Sequence, residues 1–151
     1  MRRIDALLEE YGESHQNPTN KLVHWICVPA IFWTVMAGLY ALPAPGLLGA
    51  GGWLSVVALL ALAYYLVLSP RLTIGLLAFV ALCYAIIIMV ASAGYTVWKV
   101  AAVLFVLAWI GQFWGHKVEG KKPSFFKDLQ FLLIGPAWLL SFLYRRFGLR
   151  Y

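Results

Sequence analysis

Between Leu22 and Gly115 the chain carries only two formally charged side chains, Arg71 and Lys99. A water-facing surface cannot be built from so long an uncharged stretch. Across the sequence 63% of residues are hydrophobic and 12% charged, against about 45–50% and about 25% in soluble domains. The six carboxylates are confined to the ends, at Asp5, Glu9, Glu10, Glu13, Glu119 and Asp128. This segregation predicts an all-α integral membrane protein, with residues 1–151 forming a single membrane-embedded domain.

Four apolar runs can each span a hydrocarbon core, which takes about 20 residues (roughly 17–25) as a helix. They are Leu22–Leu42, Leu47–Leu68, Leu72–Ser92 and Val97–Trp114. Pro43-Ala44-Pro45-Gly46 and Ser69-Pro70-Arg71 separate the first three, and connections this short make antiparallel neighbours. A bundle of four transmembrane helices is expected. A fifth apolar stretch, Leu129–Tyr144, is interrupted at Gly135-Pro136 and flanked by basic residues on both sides. A kinked or re-entrant helical hairpin keeps both flanks on one membrane side and is favoured over a fifth span.

Ahead of the first span, Ile4, Leu7, Leu8 and Tyr11 recur at helical spacing. They predict an N-terminal interfacial helix, resting on the membrane or packed on the bundle and ended by Gly12. Arg2, Arg3 and Lys21, then Lys117, Lys121, Lys122 and Lys127, place the N-terminus and everything from residue 116 on the cytoplasmic side. The membrane is the bacterial cytoplasmic one, or the endoplasmic reticulum in a eukaryote. Residues 1–20 hold no apolar signal-peptide core, so no cleaved leader is expected. Cys27 and Cys83 lie inside apolar runs and read as small filler rather than a disulfide.

The polar residues that remain near the spans are informative. Asn17-Pro18 reads as a helix cap followed by proline at the first helical position. His24 then falls within the first two turns, four residues after Asn20, and His15 sits in the approach. At the end of the fourth span, Gln112, His116 and Glu119 share one helical face. Gly111 and Gly115 form a GxxxG pair that admits a close neighbour; if this neighbour is the first span, His24 approaches His116. All three histidines and Glu119 would then meet in one layer. Imidazole and carboxylate suit Fe(II), Zn or Mn, with positions left open for substrate. Asn20 and Gln112 are candidates to orient the rings. Lys117, Lys121 and Lys122 are first a topology signal, and could also attract the carboxylate of an amphiphile. Each histidine alone is compatible with simple hydrogen bonding at an interface. The basic residues cluster beside apolar runs rather than on a polar face, which argues against nucleic acid.

These motifs give the chain a resemblance to the membrane family of fungal and bacterial 2-hydroxy fatty acid dioxygenases. The resemblance rests on H-x4-N-x3-H-x4-P, here His15, Asn20, His24 and Pro29, and on Q-x2-G-H-x2-E-x3-P, here Gln112, Gly115, His116, Glu119 and Pro123. It covers essentially the whole chain, including the tail IGPAWLLSFLYRR. It implies an Fe(2+)-dependent enzyme of fatty acid α-oxidation that uses O2 to shorten a 2-hydroxy fatty acid by one carbon. It also implies His15, His24 and His116 as iron ligands, Glu119 as a ligand or a base, and Asn20 and Gln112 as supporting amides. Lys121 and Lys122 are substrate-binding candidates. Membrane lipid is an expected neighbour, and a homo-oligomer is left open. Two other classes compete, a small membrane transporter and a non-catalytic scaffold. A transporter needs polar residues near the bilayer midplane, which these spans supply sparsely; a scaffold would tolerate loss of all three histidines.

Overall fold

The computed structural model describes residues 2–120 and 125–151, with side chains placed from 2 to 120 and from 131 onward. The described residues form six α-helices and no strand: α1 (Arg3–Glu13), α2 (Pro18–Ala41), α3 (Gly52–Leu68), α4 (Pro70–Ser92), α5 (Val97–Glu119) and α6 (Phe125–Arg146). Three of them, α2, α4 and α5, are long and apolar enough to cross a membrane. Their outward faces stay apolar, with Ile74, Leu77 and Met89 on α4 and Val103, Val106 and Ile110 on α5 exposed. Such faces suit hydrocarbon rather than water.

The expected second span is shorter than its apolar run. Helix α3 starts at Gly52, not Leu47, and its 17 residues reach about 26 Å at 1.5 Å per residue, short of a ~30 Å core. The cause is local. Gly49 and Gly51 adopt left-handed φ of 67° and 71°, which breaks the helix before Gly52. Three helices long enough to cross and a shorter apolar one therefore stand where four spans were expected.

Helix α2 is the centre of the bundle. Half of its apolar window is buried within the protein, against 17% for α4 and 22% for α5. Its start follows the sequence reading: the Asn17 side chain accepts from the backbone N–H of Thr19 (2.8 Å) and Asn20 (3.4 Å), and Pro18 occupies the first turn. Helix α5 is its most extensive partner, and the two glycines explain why. A Cβ on Gly111 would stand 2.7 Å from Cys27 Sγ, and one on Gly115 would collide with Asn20 Oδ1 and press on Val23. The GxxxG face of α5 does lie on the first span.

Of the two placements open for the N-terminal helix the structure takes the packed one, and it revises the C-terminal segment. Helix α1 rests on protein: Ile4, Leu8 and Tyr11 are buried in a cluster with Ile134, Ala137, Trp138 and Leu139 of α6. The C-terminal apolar segment is one helix through Pro136, which corrects the expected hairpin. Proline removes a single helix N–H, and a hydrogen bond from the Tyr65 hydroxyl to the Leu133 carbonyl ties this turn to α3. Gly135 is needed for contact rather than for a turn. A Cβ there would lie 2.9 Å from Val28 Cγ1 on α2 and 3.2 Å from the Tyr11 hydroxyl on α1.

Candidate metal centre

The packing of α2 against α5 sets the start of one beside the end of the other. His24, six residues into α2, and His116, three before the end of α5, come to a ring separation of 5.2 Å. The corner between α1 and α2 adds His15, whose ring centroid lies 4.1 Å from His24 and 5.5 Å from His116. One ring nitrogen from each of the three lies within 4.8 Å of the others. All three are buried, at 3%, 1% and 7% exposure. Burial matters here, because polar side chains withdrawn from water need partners.

The hydrogen bonds fix which nitrogens face inward. His15 Nδ1 is 2.5 Å from the Tyr11 carbonyl, and His24 Nδ1 is 2.9 Å from the Asn20 carbonyl. A carbonyl only accepts, so both Nδ1 atoms carry the proton and donate. The neutral rings then present Nε2 lone pairs, and these two Nε2 atoms face each other at 2.8 Å. Two lone pairs at that distance repel unless a proton or a cation sits between them. His116 adds a second sign, since its buried Nδ1 has no hydrogen-bond partner among the described residues. Converging imidazole donors with their far nitrogens tied to carbonyls are the arrangement that divalent transition metals take. The residues present fit such an ion.

The remaining candidates divide. Glu119 stands next to the cluster but is not one of its three members. Its Oε1 accepts from the Gln16 N–H (2.9 Å), and its Oε2 accepts from the Asn17 N–H (2.9 Å) and Asn20 Nδ2 (3.1 Å). The carboxylate thus ties the end of α5 to the residues that follow His15 and to the positive start of α2. Asn20 orients His24 through its backbone carbonyl; its side chain goes to Glu119 and to the Ser14 carbonyl at 3.3 Å. Gln112 lines the cavity beside the histidines, and its buried Oε1 has no partner among the described residues. Lys121 and Lys122 lie outside the described residues.

Tyr11 and Trp109 belong to the site although the sequence reading gave them no role there. The Tyr11 ring stacks on His15 at 4.3 Å with an 8° interplanar angle, and its carbonyl holds the His15 proton. The signal was available: Tyr11 precedes His15 by four residues, as Asn20 precedes His24. Trp109 lines a small cavity of about 50 Å³ that opens from the histidines between α2, α5 and α6, together with Val28, Ile31 and Leu132. The centre is therefore polar at one end and apolar along its walls.

Comparison with known proteins points the same way. A family model described as 2-hydroxy-palmitic acid dioxygenase Mpo1-like matches residues 1–147. A curated relative from Saccharomyces cerevisiae, named 2-hydroxy-palmitic acid dioxygenase MPO1, is 31% identical over 138 residues, covering 89% of this chain and 76% of the relative. No solved structure matches. With its full-length match, this helical chain belongs to the 2-hydroxy-palmitic acid dioxygenase Mpo1-like family.

Proposed function

We propose that the chain is a membrane-embedded, iron-dependent dioxygenase that converts a 2-hydroxy fatty acid to the fatty acid one carbon shorter. The observation that carries this reading is the 2.8 Å approach of two imidazole lone pairs at the polar end of an apolar cavity. The yeast relative's name supplies the substrate class. The transformation balances without an external reductant. A 2-hydroxy acid and O2 give the shortened acid, CO2 and water; the C1–C2 bond breaks, the two carbons lose four electrons, and O2 gains them.

Iron(II) held by His15, His24 and His116 supplies redox chemistry towards O2 and, with so few protein ligands, open positions for substrate. The chain's own residues do the rest. The carbonyls of Tyr11 and Asn20 keep the two Nε2 atoms turned inward and raise their basicity. Glu119 holds the corner that carries His15. Val28, Ile31 and Leu132 exclude water and receive the first methylenes of the acyl tail, each contributing about 0.8 kcal/mol when buried. The same reading puts this end of the bundle at the cytoplasmic membrane face, supported by the basic residues Arg2, Arg3, Lys21 and Lys117 in the sequence beside it.

The test is metal analysis and oxygen uptake on anaerobically purified protein in lipid. About one iron per chain and O2 consumption with 2-hydroxypalmitate, but not with palmitate, are the expected results. Protein that binds no transition metal, or consumes no O2 with any 2-hydroxy acid, would end the assignment.

A further inference from the structure

Two side chains that line the cavity each carry a buried polar atom with no partner among the described residues. Gln112 is buried at 7% exposure, and its Oε1 is without a hydrogen bond. Trp109 Nε1 is likewise buried and unbonded. The two residues are three apart on α5, so they share a face, and both line the cavity that contains the histidines. Trp109 is fixed by Phe105 and Phe113, at ring separations of 5.9 and 5.6 Å. The wall opposite, Val28 and Ile31 of α2, offers nothing polar from its side chains. A buried acceptor and a buried donor left open in a water-poor cavity cost stability unless a bound group satisfies them.

We propose that Gln112 and Trp109 form the subsite that recognises the head group of a 2-hydroxy acid. Gln112 Oε1 accepts a hydrogen bond from the 2-hydroxyl, and Trp109 Nε1–H donates to an oxygen of the same head group. The inference rests on the proposed function and adds the source of its selectivity. The two residues have separable tasks. An unsubstituted fatty acid carboxylate brings oxygens for Trp109 but no proton for Gln112. Gln112 therefore discriminates, because an analogue without the hydroxyl leaves its buried oxygen unpaired. Trp109 contributes affinity towards either acid. Ordered water bridging the two side chains is the competing account, and it predicts no effect on selectivity.

Binding is measured anaerobically on the iron-loaded protein in lipid nanodiscs, where no turnover occurs. The probes are 2-hydroxypalmitate, palmitate and 2-fluoropalmitate, the last having a polar substituent but no proton to give. The wild type is expected to prefer the hydroxy acid to both others by tenfold or more, as one unpaired buried acceptor implies. Gln112→Met should reduce that preference to less than about threefold with iron content unchanged. Trp109→Phe should weaken all three acids by a similar factor and leave the preference intact. A Gln112→Met protein that keeps the full preference overturns the subsite while leaving the dioxygenase reading in place. So does a wild type that binds 2-fluoropalmitate as tightly as the hydroxy acid, a measurement that needs no variant to fold. Failure of the wild type to bind any of the acids overturns both.

Discussion

His15 and His24 face each other through Nε2 atoms 2.8 Å apart, each ring held from behind by a backbone carbonyl. Neither ring can turn its protonated nitrogen inward without abandoning that carbonyl in a buried place. The pair is thus preset to share a cation. Replacing either histidine with alanine should lower metal affinity more than about 100-fold, since even the partners that orient a ligand are worth about 10–100-fold. The helical content should survive, because α2 keeps its Asn17 cap and its glycine contacts with α5. Chelator competition and circular dichroism on the same samples check both halves. Retained metal in His24→Ala would falsify the ligand assignment.

The two glycines of α5 make different demands. A Cβ on Gly115 meets Asn20 Oδ1 and Val23, groups tied to the start of α2, whereas one on Gly111 meets the Cys27 thiol, which can rotate away. Gly115→Ala should therefore cost about 1–3 kcal/mol of stability and also weaken metal binding by moving His116 from His24. Gly111→Ala should cost less and leave the metal in place. Thermal unfolding in detergent, with metal content read alongside, separates them.

Much of this centre is legible in sequence because its signals are local. Asn17-Pro18 announces the start of α2, and the Gly111/Gly115 spacing announces a close helix, whose identity follows once His24 and His116 need to meet. The parts that escaped depend on contacts distant in sequence. Glu119 reads as a ligand or a base because carboxylates accompany histidines at metal sites, and spacing does not choose between them. In the structure its oxygens are engaged by the N–H groups of Gln16 and Asn17, which no spacing rule foretells. Gly135-Pro136 resembles a turn, yet Val28, Tyr11 and Tyr65 give that glycine and the adjoining carbonyl partners within a continuous helix. The apolar run of α3 overstates its helix because hydropathy does not register the left-handed glycines at 49 and 51.

Tyr65 provides a control distant from the histidines. Its ring is buried, at 2% exposure, and its hydroxyl reaches the Leu133 carbonyl of α6. Tyr65→Phe keeps the packing but removes that donor; the carbonyl stays within the helical ladder of α6, so the cost should be about 0.5–1.5 kcal/mol. Metal content and acid binding should be unchanged. Equal loss of stability and metal would show that the α6 turn is coupled to the centre rather than merely packed against it.

Glu119 allows a ligand to be told apart from a residue that holds one in place. Its carboxylate gathers Gln16 N–H, Asn17 N–H and Asn20 Nδ2, so it fixes the corner between His15 and the first turn of α2. Glu119→Ala frees those donors, and the His15 ring loses its registration against His24. Solvent reaches this half-buried carboxylate and weakens the effect, so the stability cost should be about 1 kcal/mol. Metal affinity should fall about tenfold, at the lower end of what ligand-orienting residues contribute. Glu119→Gln should lie between, because one oxygen still accepts while the new NH2 opposes a backbone N–H. A direct ligand would behave as His24 does, with a loss beyond about 100-fold for both variants. Side-by-side chelator titrations of Glu119→Ala, Glu119→Gln and His24→Ala decide the matter, and equal losses in all three would return Glu119 to the coordination sphere.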